Sequence, residues 1–178
     1  VCLVHGLGEH SSRYGQLAQR FNDKGFAVFA LDMRGHGKSG GTRGDLRFPQ
    51  AIADVGELLD QARAQYPGVP VFLYGHSLGG LITMTYTVQN RPDITGQVAS
   101  APALDSELRE QKVKFALANV LGGVLPGFTM PTGLDPEGVS RDPKVVAAYK
   151  ADPLVHDRGS TAMAKQTFQA MDAMMQQT

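Results

Sequence analysis

Residues 71–82 read VFLYGHSLGGLI. An apolar, β-rich run stops at Gly75, a lone serine (Ser77) follows two positions later, and Gly79 and Gly80 come directly after it. From about Leu78 to Gln89 the apolar spacing is helical. Gly75-His76-Ser77-Leu78-Gly79 fits G-x-S-x-G, a weak signal by itself in a chain with 21 glycines. Between a buried strand and a helix it acquires a physical meaning. Small residues let the backbone pass through a strained turn that lifts the serine hydroxyl above the C-terminal edge of a sheet. The competing reading is a Gly-rich turn holding a structural serine, and the strand–helix context favours the first.

Working outward, short apolar runs alternate with amphipathic stretches. Val1–Val4, Phe26–Leu31, Val71–Tyr74 and Gln97–Ala101 read as strands. Tyr14, Leu17, Ala18 and Phe21 fall at helical spacing closed by Gly25, and Ile52, Val55, Leu58, Leu59 and Ala62 mark a helix ending before Pro67. This order predicts an α/β fold, a parallel sheet flanked by helices. After Pro102 the pattern changes. Val113, Phe115–Leu117, Val120, Leu121, Val124 and Leu125 predict a helix with a broad apolar stripe, followed by PGFTMPTGLDPEG, and no further convincing strand. The organisation read is a core over 1–104, an insertion over the sheet at 105–150, and a return to the core at 151–178.

Composition narrows the function classes. With 178 residues there is room for one sizeable core, and 17 basic residues balance 17 acidic ones. Nothing in that balance suggests a nucleic-acid partner. Cys2 alone gives neither a disulfide framework nor a zinc pattern. No transmembrane stretch or signal peptide is visible. The chain opens without Met on VCLV and closes on AMDAMMQQT, so truncation at both ends is expected.

A serine nucleophile needs donors aimed at the oxyanion it creates. The N–H of Leu78, the next residue, is one. The other should come from the loop after a neighbouring strand; His5-Gly6-Leu7-Gly8 lies there, and Leu7 N–H is the candidate.

Four stretches carry a more specific signal: HGLGEHSSRY (5–14), LDMRGHGKSGGTRG (31–44), YGHSLGG (74–80) and SRDPKVVAAYKADPLVH (140–156). Together they resemble monoacylglycerol lipases, α/β-hydrolases of the wider lysophospholipase and serine-aminopeptidase-like group. The resemblance runs in order along the whole chain. It implies a Ser-Asp-His ester hydrolase with a cap, acting on lipids with one acyl chain. It makes Ser77 the nucleophile, Leu7 and Leu78 the oxyanion donors, and places Glu9, Arg13 and Tyr149 near the polar head of the substrate. No cofactor or metal is implied. The expected partner is a small lipid ester, with peripheral membrane contact through the cap. The expected location is the cytoplasm, with membrane association. The helix at 113–125, core or cap packing by default, becomes a lipid-facing lid.

The other histidines have plainer readings. His5 and His76 shape turns, His36 is structural, and His10 is read on a solvated loop in preference to lining the pocket. In this fold the triad runs Ser, acid, His along the chain. After Ser77 the sole histidine is His156, and Asp105, Glu107, Glu110, Asp135, Glu137, Asp142 and Asp152 lie between. No predicted strand precedes His156, and in the resembling family DPLVH leads into a helix, here Ser160–Gln176, before the strand bearing the acid. The catalytic Asp and His are therefore expected outside this chain, leaving it inactive alone. Two rival functions are an acyltransferase on the same fold and a non-catalytic binding module.

Overall fold

A computed structural model describes residues 1–105 and 123–177. Its centre is a parallel sheet of β1 (Cys2–Val4), β2 (Phe29–Leu31), β3 (Phe72–His76) and β4 (Gly96–Ser100), in the spatial order β2-β1-β3-β4. The register sets Cys2 beside Phe29, Val4 beside Gly75 and His76 beside Ser100. The apolar run of β1 is wholly buried, whereas β4 at the rim leaves Val98 half exposed.

The chain leaves β1 to one side for β2 and returns to the other side for β3. The loops after β1 and β3 therefore diverge, leaving a crevice at the carboxyl ends of these two strands.

Helices follow β1, β2 and β3 where periodicity places them. A 3₁₀ turn at Ser11–Tyr14 leads into α1 (Gly15–Asn22); α2 spans Phe48–Gln65 and α3 spans Leu78–Asn90. β2 begins three residues later than expected. The Phe26 amide bonds the Phe21 carbonyl at 3.0 Å, so Phe26 is still held to the turn that closes α1 through Gly25 (φ 83°). Proline near the start of α2 suits a first turn whose amide would lack a partner anyway. Its buried stripe of Phe48, Ala51, Val55, Leu58, Leu59 and Ala62 packs on β1, β2 and α3.

Downstream, α4 (Pro143–Ala151) starts where Asp142 accepts the Lys144 N–H, and α5 (Thr161–Met175) starts where the Ser160 hydroxyl accepts the Met163 N–H at 3.1 Å. Phe168, Met171 and Met174 carry α5 into the core against α2 and α3. The expected helix over 160–176 is thus present.

The expectation that no strand follows Pro102 is corrected. β5 (Thr129–Pro131) pairs antiparallel with β6 (Arg158–Ser160). The Arg158 guanidinium bonds the Thr129 carbonyl and hydroxyl, and the Ser160 amide bonds Gly44. This ribbon ties the stretch read as an insertion to the residue run that follows it. Of the predicted helix at 113–125, residues 113–122 lie outside the described residues; Val124 and Leu125 are exposed.

Candidate active site

Ser77 stands between β3 and α3 with φ 51° and ψ −118°, a region that costs a non-glycine residue about 1–3 kcal/mol. Its backbone is pinned on both sides. Its amide donates to Ser100 at 3.0 Å, and its carbonyl accepts the amides of Leu81 (3.1 Å) and Ala103 (3.0 Å). The three neighbouring glycines are each demanded by space. A Cβ on Gly75 would strike the Thr83 hydroxyl and Gly79, one on Gly79 the carbonyls of Val4 and His5, and one on Gly80 would lie 3.0 Å from Pro102. α3 can thus start directly against the end of β1. Ser77 is its N-cap residue, yet the hydroxyl makes no capping bond, so the oxygen stays free of the helix. Leu78 opens α3, where backbone amides lack intrahelical partners.

The His-Gly loop after β1 faces this turn. A Cβ on Gly6 would lie 3.2 Å from the Ser77 Cβ and 3.4 Å from the His76 ring, so the loop passes directly over the serine. Its shape is fixed by buried side chains. Met33 N–H donates to His5 Nε2 at 3.0 Å, which leaves the ring proton on Nδ1 to donate to the Gly6 carbonyl at 2.7 Å. That carbonyl belongs to the same peptide as the Leu7 N–H. Burial holds His5 below the ordinary histidine range, hence neutral, as this bonding requires. The reading of His5 as a turn-shaping residue agrees with these bonds.

Glu9, Arg13 and Tyr149 come together. The Glu9 carboxylate accepts the Gly6 N–H (2.7 Å), the Tyr14 hydroxyl (2.6 Å) and the Arg13 Nε–H (3.3 Å). The Arg13 guanidinium lies 4.6 Å from the centre of the Tyr149 ring. The Tyr14 ring meets Tyr74 and His76 edge-on, and burial beside Glu9 pushes its hydroxyl pKa well up.

Sequence reasoning missed two contacts. His10, read as solvated, is buried, with Nε2 2.8 Å from Asp152 Oδ2; 142 positions separate the two, so no local pattern announces the pair. Leu154 N–H and then His10 hold the Asp152 carboxyl below its usual range. Asp32, at the end of β2, accepts the amides of Ser11 (2.8 Å) and Lys38 (2.7 Å) and so fixes both loops.

His156 sits beneath the His-Gly loop rather than over the serine. Its amide donates to the Gly8 carbonyl at 2.9 Å, its Nε2–H to Gly35 at 3.1 Å, and its Nδ1 accepts the Arg158 N–H at 3.2 Å. Both ring nitrogens are therefore occupied by backbone. His36 packs between His5 and His156 with ring centres 5.5 and 4.7 Å away, and His76 lies 3.4 Å from the Ser100 hydroxyl. None of the five histidines is bonded to Ser77.

A hollow of about 330 Å³ opens beside the His-Gly loop, lined by Leu7, Leu134, Pro136, Tyr149, Val155 and His156 among others. A larger one, about 560 Å³, lies over β2 and α2 among Asp32, Arg34, Asp54 and Glu57. Ser77 lines neither, and Leu7 belongs to the smaller, which is the one tied to the serine turn.

A strained serine between strand and helix, at the switch point of a parallel sheet and beneath a His-Gly loop, defines the α/β-hydrolase class. More narrowly, the chain belongs to the serine aminopeptidase S33 family, whose model matches residues 1–178. The resemblance drawn from the four motifs is borne out. A monoacylglycerol lipase of Mycolicibacterium smegmatis is 44% identical over 157 residues, 88% of this chain and 56% of that protein. The crystal structure of Paleococcus ferrophilus monoacylglycerol lipase superposes with a TM-score of 0.89 at 43% identity, over 97% of this chain and 65% of that one. A soluble variant of Saccharomyces cerevisiae monoglyceride lipase, in complex with a substrate analog, gives 0.80 at 26% identity, over 96% and 58%. The chain thus spans 56–65% of the length of these relatives.

Proposed function

We propose that the protein is a serine ester hydrolase for monoacyl lipids, with Ser77 as nucleophile. The observation that carries the reading is the Ser77 turn itself: backbone strain at φ 51°, maintained by three glycines and three backbone bonds, beneath the loop that bears Leu7. Strain of that kind persists where the surrounding structure over-determines it, and such places are commonly functional. Relatives named as monoacylglycerol lipases supply the substrate class.

In this reading the Ser77 oxygen attacks the ester carbonyl and the N–H groups of Leu7 and Leu78 receive the oxyanion. The alcohol leaves, and water releases the fatty acid from the acyl-enzyme. Ser77 needs a base to take its proton, and every histidine of the chain is engaged elsewhere. In this reading the catalytic acid and base are supplied by sequence outside residues 1–178. Arg13 and Tyr149 face the head group, with Glu9 acting through its bonds to Gly6, Tyr14 and Arg13. In the described part of the segment read as a cap, from residue 123 onward, Val124, Leu125, Phe128 and Leu134 are all more than half exposed, a surface suited to contact with a lipid aggregate. No helix among the described residues is long and apolar enough to cross a membrane.

The test is hydrolysis of a monoacylglycerol by the full-length enzyme and by its Ser77→Ala variant, with glycerol added in a parallel reaction. The expected result is free fatty acid from the wild type and none above background from the variant. Acyl transfer to glycerol in preference to water would identify an acyltransferase, and undiminished hydrolysis by the variant would remove Ser77 from the chemistry.

A further inference from the structure

Gly6 is a weak joint in a loop that has to be rigid. It lacks a Cβ because Ser77 and Glu9 leave no room for one, and glycine is the residue with the widest choice of backbone angles. The peptide after Gly6 carries the Leu7 N–H, whose value as an oxyanion donor depends on being aimed before the charge forms. The two peptides that meet at Gly6 are each held by a side chain. His5 Nδ1–H holds the carbonyl of the following peptide, and Glu9 Oε1 holds the N–H of the preceding one at 2.7 Å.

Glu9 is itself fixed. Tyr14 donates to the same oxygen at 2.6 Å and Arg13 to the other at 3.3 Å, and the carboxylate side chain is only 13% exposed. Tyr14 is anchored by its ring against Tyr74 on β3 and His76 beside the serine. A rigid strand and the oxyanion loop are thus joined through one carboxylate.

We propose that Glu9 is a positioning residue for the reaction: its carboxylate, braced by Tyr14, locks Gly6 so that the Leu7 N–H is aimed at the oxyanion formed on Ser77. The proposal rests on the reading of Ser77 and Leu7 given above. Unlike a head-group contact, a positioning role makes Glu9 matter for any ester, whatever its alcohol.

The experiment compares Glu9→Ala, Glu9→Gln and Tyr14→Phe in the full-length enzyme on a monoacylglycerol and on a p-nitrophenyl ester of the same acid. Rates are taken per site titrated by a fluorophosphonate, so unfolded material does not count. Losing an oxyanion donor outright costs on the order of 10²–10³ in kcat, and misaiming one costs part of that. Glu9→Ala is expected to lower kcat about 10- to 100-fold on both esters with KM changed less than about threefold. Glu9→Gln, which keeps an oxygen for the Gly6 N–H, should recover kcat to within about fivefold of wild type, and Tyr14→Phe should fall between.

A loss confined to the monoacylglycerol, or one expressed in KM, makes Glu9 a head-group contact and overturns the proposal. So does equal loss in Glu9→Ala and Glu9→Gln, or unchanged kcat in both. Ser77→Ala is measured alongside: turnover that survives it overturns the site reading together with this one, whereas its loss leaves the Glu9 result to stand or fall alone.

Discussion

Gly79 lies against the carbonyl of His5, so close that α3 meets the end of β1 with no space for a side chain between them. Gly79→Ala must therefore push the helix, the His-Gly loop or both aside. Overpacking of this kind costs typically 1–3 kcal/mol, and backbone atoms on the receiving side put this case at the upper end. The expected loss is about 3 kcal/mol, or roughly 6–12 °C in Tm for a chain of this size. Calorimetry checks it, and a Tm within 2 °C of wild type would mean that the contact relaxes freely.

Ser77 should trade stability for its position. Strain of about 1–3 kcal/mol is released in Ser77→Gly, less about 0.4–1 kcal/mol for the freer unfolded chain. The variant is expected to gain about 1 kcal/mol while losing activity, whereas Ser77→Ala keeps the strain and shows no such gain. Urea denaturation of both variants decides the matter; equal midpoints would show that φ 51° costs nothing here.

Much of this was readable from the sequence. Gly75, Gly79 and Gly80 around a lone serine implied the turn, and apolar periodicity placed α2 and α3 closely and the sheet strands to within a few residues. β5 and β6 went unread because Thr-Met-Pro and Arg-Gly-Ser show neither alternation nor β-rich composition; each is a strand only because it has the other. His10 escapes a sequence reading for a related reason. Its ring partner, Asp152, lies far along the chain, and nothing beside it in sequence is apolar enough to foretell its burial. Local pattern conveys elements, and long-range partners decide what happens to polar residues between them.

The His10–Asp152 pair should be worth measuring directly. Asp152→Ala leaves both His10 ring nitrogens without partners in a buried place, since Nδ1 already has none. A buried polar group deprived of its bond costs about 1–3 kcal/mol. A double-mutant cycle with His10→Ala is expected to give a coupling of at least about 1 kcal/mol. Additive effects would show that the 2.8 Å contact contributes nothing net.

Acid should unfold the protein through its histidine row. Burial depresses His36 to about 3, and His5 and His156 also lie below the ordinary value of 6.5. A histidine with a lowered folded-state pKa binds its proton more readily when unfolded, so its contribution is complete above 6.5 and is lost as pH falls from there towards the folded value. For His36 the loss between pH 6.5 and pH 4 is about 3 kcal/mol. Stability by urea titration should decline across that window, and His36→Asn should remove about one proton's worth of the slope. A flat profile from pH 7 to pH 4 would contradict the neutral state of this row.

The central claim is that Ser77 is the nucleophile, and the most direct measurement is the site of covalent labelling. The full-length enzyme is treated with a fluorophosphonate, digested, and the adduct located by tandem mass spectrometry. The predicted result is one adduct, on Ser77, appearing in step with loss of monoacylglycerol hydrolysis and absent from Ser77→Ala. An adduct on another residue that accounts for the lost activity, with Ser77 unmodified, would contradict the account.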